Sequence, residues 1–87
     1  MDIIPQDIVF IVGNTESCFI FQVDKKVVEL RSSLYQLNKE LEEKHFLKIN
    51  PHTLFNTMYF ENKLPHRQIS LKGGSIHKVS RNCWRHF

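Results

Sequence analysis

Eighty-seven residues, 41% hydrophobic and 24% charged, describe one globular domain with a thin core and exclude a disordered chain. The longest apolar run, Ile8–Val12, is far too short to span a bilayer, and the first residues do not read as a basic-then-apolar leader. The net charge of +3 hides an asymmetry: residues 1–61 carry six Lys/Arg against nine Asp/Glu, whereas 62–87 carry Lys63, Arg67, Lys72, Lys78, Arg81 and Arg85 with no carboxylate. A segment purged of acids suits a polyanionic partner.

In chain order, Ile8–Gly13 reads as a buried strand, and Asn14-Thr15-Glu16-Ser17 as a polar loop. Cys18–Val23 is a second strand with Phe19, Phe21 and Val23 on one face. Asp24-Lys25 is a tight turn, and Lys26–Arg31 returns as a third strand. The period then changes. Ser33 with Gln36 three residues on fits a capping box, and Leu34, Leu37 and Leu41 form one apolar stripe of a helix that should end near Lys44-His45. Phe46–Asn50 and Thr53–Asn56 are short strands on either side of Asn50-Pro51-His52, where proline cannot continue a ladder. Thr57–Pro65 carries no clear pattern. Arg67–Leu71 and Ser75–Val79 read as a hairpin whose paired glycines, Gly73 and Gly74, supply positive φ. Ser80 is placed to cap a closing helical turn. The whole is a mainly β domain with one amphipathic helix.

Catalysis finds no frame in this sequence. No nucleophile elbow, Cys–His signature or phosphate-cradling glycine loop is present. Cys83-x-x-His86 has ligand-like spacing but lacks a second pair, so no metal is expected, nor any other cofactor. Two cysteines far apart, Cys18 and Cys83, read as free thiols of a reducing, cytoplasmic setting. The seven Phe residues are assigned to the core rather than to base stacking, Trp84 to a cover over it, and Asn56 to local backbone bonding. A polyanion reader of this kind must use loops on a β scaffold, because no helix-turn-helix, finger or basic zipper is written here.

Five stretches in order resemble the LytTR family of DNA-binding domains. Asp7-Ile8-Val9-Phe10-Ile11 looks like its second-strand motif, and Leu30–Leu37 like its helix start. Phe46–Asn56 resembles its strongest motif: an aromatic pair, a basic residue, a short polar turn, and an apolar run ending in Asn. Leu71–Ile76 and Val79-Ser80-Arg81 look like its closing hairpin and Ser-Arg signature. The resemblance spans residues 1–87 as a single domain with a shortened first strand and no preceding receiver domain. It implies an elongated arrangement of small stacked β-sheets with one helix.

The resemblance also implies duplex DNA binding by loops inserted into successive major grooves. Such domains act as transcriptional regulators or their output domains, on paired direct repeats, with the isolated domain monomeric. Carried over residue by residue, Arg81, Ser17 and Asn50 are the expected base contacts. Lys48, His52, Lys78, Asn82 and Arg85 are the expected backbone or loop contacts. An Arg at position 81 can hold guanine O6 and N7 together, worth about 1–3 kcal/mol of discrimination. Pro51 stands where members often carry Arg, Lys or Asn, and Ser17 where some carry His or Arg. The alternative is therefore a protein–protein interaction module on the same fold, with its DNA contacts eroded.

Overall fold

The computed structural model describes residues 3–41, 44–85 and 87. A 3-10 turn at Pro5–Asp7 opens into β1 (Ile8–Gly13), followed by β2 (Cys18–Gln22), β3 (Val27–Leu30) and α1 (Leu34–Leu41). Next come β4 (Phe46–Asn50), β5 (Thr53–Asn56), a 3-10 turn at Thr57–Tyr59 and β6 (Phe60–Leu64). The chain then forms β7 (Gln68–Leu71), β8 (Ile76–Lys78) and α2 (Arg81–Trp84). Two antiparallel sheets result, one ordered β3-β2-β1-β5-β4 and one ordered β6-β7-β8. The molecule measures 36 × 25 × 20 Å.

The larger sheet has core on both faces, and that explains its near-continuous apolar strands. Ile8, Ile11, Cys18, Ile20, Phe46 and Leu54 pack beneath the Leu34–Leu37–Leu41 stripe of α1. Val9, Ile49 and Phe55 point the other way, onto Ile69, Leu71 and Val79, with Trp84 and Phe87 packed at the margin. Phe55 stacks on Phe87 at 6.0 Å, and Phe87 on Trp84 at 5.5 Å, so the C-terminal aromatics do cover this second core. Each large side chain buried in this way contributes about 1.5–3 kcal/mol relative to exposure.

Local chemistry sets the connections. Asp24 Oδ1 accepts from the Lys26 amide at 3.0 Å, and Lys25 adopts the left-handed φ of 71° that closes the β2–β3 turn. Gly73 and Gly74 take φ of 102° and 96° in the β7–β8 turn. Ser33 Oγ accepts from the Gln36 amide at 3.1 Å, but the Gln36 side chain turns to Glu40 at 3.5 Å. Only half of the expected capping box forms. The expected helix end near Lys44-His45 passes through residues 42 and 43, which lie outside the described residues.

Three expectations are revised. Residues 60–64, without a readable pattern, form β6; Glu61, Asn62 and Lys63 are exposed, so this strand is held by its ladder to β7 and by Phe60, packed at the margin of the second core. Phe19 is 44% exposed, because β2 turns Cys18 and Ile20 toward α1 and the opposite face is uncovered at its β2–β3 margin. Arg67 is not in a strand; its φ of 55° belongs to the turn before β7. Both cysteines are free, Cys18 fully buried and Cys83 half-buried.

Candidate nucleic-acid interface

Strand direction gathers the loops. β1 and β4 run toward one end of the larger sheet, while β2 and β5 run away from it. The connections at 14–17, 31–33 and 51–52 therefore share that end. Hydrogen bonds join them: the Gly13 amide donates to the His52 carbonyl at 2.8 Å, and the Leu34 amide donates to the Asn14 carbonyl at 2.9 Å.

Asn14 organises the first loop. Its Oδ1 accepts from the amides of Glu16 at 2.8 Å and Ser17 at 3.0 Å, an Asx-type turn. Ser17 is half-buried and lines a shallow depression with Glu16, Glu29 and Arg31. Glu16 of this loop, Glu29 of β3 and Arg31 thus surround the expected base contact.

The middle loop depends on a bulge. β4 and β5 pair Lys48 with Leu54 and Asn50 with Thr53, so Ile49 is left as the extra residue. Its side chain is fully buried, and its carbonyl accepts from the Ser80 amide at 2.8 Å. Asn50 bonds in two directions: Oδ1 accepts from the His52 amide at 2.9 Å, and Nδ2 donates to the Lys78 carbonyl at 2.9 Å. Pro51 and His52 stand exposed at the tip, and Lys48 is exposed on the strand below.

The third loop leaves β8 at Lys78. Val79 is buried and its amide donates to the Arg67 carbonyl at 2.8 Å, fixing the main chain before the site begins. Ser80 caps α2, its Oγ accepting from the Cys83 amide at 3.3 Å. Arg81 and Asn82 then project from the first turn, both exposed, with Arg85 exposed just beyond. Lys78 is exposed beside them.

Of the expected site residues, Asn50, His52, Lys78, Arg81 and Asn82 are thus drawn around the bonded pair of the middle and third loops. Ser17 sits on the neighbouring first loop. Sequence reasoning missed Thr15, Ser33 and Tyr35. They line a groove of about 240 Å³ together with Asn14, Leu34, Lys48, Pro51 and His52. The direction of β3 could have found them, since a strand running toward the loop end must start its helix there. Among the described residues no group of three or more His, Cys, Asp or Glu is placed to hold a metal ion, and His86 of the Cys83-x-x-His86 pair lies outside them.

The structure is thus a β scaffold with its polar loops collected at one end and exposed cations on the third. The LytTr DNA-binding domain model matches residues 1–87, and the chain belongs to the LytTR family. This is a family of DNA-binding domains and not of enzymes, and family and fold together support DNA binding. The fold is shared with a solved structure described as the LytTr DNA-binding domain of a methyl-accepting/DNA response regulator from Bacillus cereus. The TM-score is 0.83 at 13% identity, over 98% of this chain and 81% of that one. No curated protein matches the chain in sequence. No helix among the described residues is long and apolar enough to cross a membrane.

Proposed function

We propose that this domain reads double-stranded DNA by sequence, inserting its loops into successive major grooves, as the output of a transcriptional regulator. The observation that carries the reading is the bonded cluster of the middle and third loops, Asn50 to Lys78 and Ile49 to Ser80, set in the acid-free cationic segment. Arg81 is the principal base contact, donating two bonds to one guanine edge. Ser17 reaches a second groove. Asn50 retains one Nδ2 proton beyond its bond to Lys78, and that proton is available to a base edge. Lys48, His52, Lys78, Asn82 and Arg85 hold phosphates, which fixes register and orientation without reading sequence. The 36 Å long axis is comparable to one turn of B-DNA, about 34–36 Å, so a single domain is large enough to meet two grooves. Direct repeats would then each take one monomer.

Two observations favour a second reading, a protein-interaction module. The middle loop has an exposed proline with no N–H at its tip, and the first loop carries Glu16 beside Ser17. Selection from a random duplex pool at two salt concentrations separates the two. An enriched motif, with affinity falling steeply in salt, supports the DNA reader. Weak binding without enrichment sinks it and leaves the interaction module.

A further inference from the structure

We infer that Asn50 is a positioning residue that sets the geometry between the middle and third loops, so that Arg81 reads its bases only while Asn50 is bonded to Lys78. The inference rests on the DNA reading above and deepens it. A residue used only as a base contact would keep both ends of its amide free toward the groove. Asn50 instead closes two bonds within the protein, one inside its own turn and one to a segment 28 residues away in sequence.

The bulge gives the arrangement its logic. Ile49, excluded from the ladder with β5, turns its carbonyl to Ser80, while the next side chain holds Lys78. These two bonds bracket Val79, whose side chain is buried in the core. Three successive residues, Lys78, Val79 and Ser80, are thus fixed directly before Arg81. Both bonds come from two successive residues of β4, Ile49 and Asn50. The middle loop is also tied on its far side, through His52 to Gly13, so it is the hub between all three loops. An Arg side chain reaches far and is rotamer-rich; aiming it needs a fixed main chain beneath it. The capped single turn of α2 cannot supply that alone, since isolated short helices are marginal.

The test uses the full chain and a duplex carrying the motif selected from the random pool. It compares wild type, Asn50→Ala, Arg81→Ala and the double variant for motif over scrambled duplex. Asn50→Ala is expected to lose about three- to tenfold of discrimination, the range for one ordinary hydrogen bond. The loss should include the base pairs that Arg81→Ala relaxes. The double variant should lose less than the two single losses combined, because coupled residues are not additive. Amide exchange at Ser80 should accelerate in Asn50→Ala without DNA. Asn50→Asp keeps the acceptor for His52 but loses the donor to Lys78, so it should lose discrimination as Asn50→Ala does, with an added loss of affinity on both duplexes from the new charge. It serves in its place if that variant melts near the assay temperature.

Additive losses at separate base pairs would make Asn50 an independent contact and overturn the inference. Unchanged discrimination in Asn50→Asp, or unchanged exchange at Ser80, would overturn it equally. If Arg81→Ala itself keeps full discrimination, the Arg81 reading fails, whereas the Ser80 exchange result still reports on the coupling.

Discussion

Asn56 Nδ2 donates to the Ile8 carbonyl at 3.0 Å, joining the last residue of β5 to the first of β1 in the interior. The same side chain accepts from the Met58 amide at 2.9 Å, and the residue is 1% exposed. A polar side chain so deep persists because both ends of its amide are satisfied. Asn56→Leu keeps the size and removes both of these bonds together with a longer one to the Pro5 carbonyl at 3.4 Å. It is expected to destabilise by about 1–3 kcal/mol, and each kcal/mol lowers Tm by about 4–8 °C in a domain of this size. A thermal melt followed by circular dichroism measures it; a Tm within about 2 °C of wild type would show that the bonds carry no net stability.

The bond from Met58 to Asn56 is the local kind of feature that the sequence makes readable, whereas the reach of Asn56 to Ile8, 48 residues away, is the kind it conceals. Ile8–Gly13, Phe46–Asn50 and Thr53–Asn56 are found at their observed limits, because each is an apolar run closed by a turn residue. The Ser33 cap, the leucine stripe and the Gly73-Gly74 turn rest on nearest-neighbour chemistry, and they form. β6 escapes because a strand with three successive exposed polar residues has no hydrophobic period to show. Phe19 misleads because an uncovered sheet margin cannot be inferred from composition. Within the site, the exposed loop residues are visible as residue types. The bulge at Ile49 and its bond to Ser80 are not, since one depends on the β4–β5 register and the other joins segments far apart in sequence.

Gly13 closes the first loop where the chain turns against Cys18. A Cβ there would lie 2.5 Å from Cys18 Sγ and 2.9 Å from the Ser17 carbonyl. Cys18 is fully buried and cannot withdraw. Gly13→Ala therefore has to shift backbone, at a cost of about 1–3 kcal/mol typical of overpacking. Urea unfolding should show a lower midpoint with unchanged slope. An unchanged midpoint would mean that the hairpin opens freely at its tip.

His77 lies half-buried in β8, edge-on to Phe10 at 4.3 Å, with Nε2 3.0 Å from Ser75 Oγ. Burial lowers its pKa below the usual 6.5, since the charged imidazolium loses solvation. The unfolded chain then binds the proton more readily than the folded one. The stability tied to neutral His77 is present above about pH 6.5 and declines as pH falls through the folded pKa. Melts between pH 7.5 and pH 5 should show a steeper loss in wild type than in His77→Phe. Parallel curves would indicate that the ring accepts a proton without leaving its place.

Lys78 and Arg85 flank Arg81 on the third loop and are both exposed. As phosphate contacts, each releases counterions, so losing one should flatten the slope of log K against log salt by about 0.9. Lys78→Ala and Arg85→Ala are expected to weaken selected and scrambled duplexes by the same factor. Affinity titrations on both duplexes at three salt concentrations check it. A variant that altered the ratio between duplexes would reassign that residue to base reading.

Glu16 offers the opposite sign. It stands exposed in the first loop, in the depression it shares with Ser17, Glu29 and Arg31. If this loop enters a groove, a carboxylate there approaches phosphates of like charge, and the repulsion subtracts from affinity. Glu16→Gln keeps the shape and removes the charge. Binding to the selected duplex should then tighten by about three- to tenfold at low salt, the scale of one charge pair near a solvated surface. The gain should shrink toward nothing at about 1 M salt, where the Debye length falls to about 3 Å. The Asn14 turn is built from main-chain amides and survives the substitution, so stability should not move. Affinity indifferent to this change at every salt concentration would place the first loop away from DNA, and Ser17 with it. A gain confined to low salt would set the loop against the backbone and identify Glu16 as an element that restrains binding.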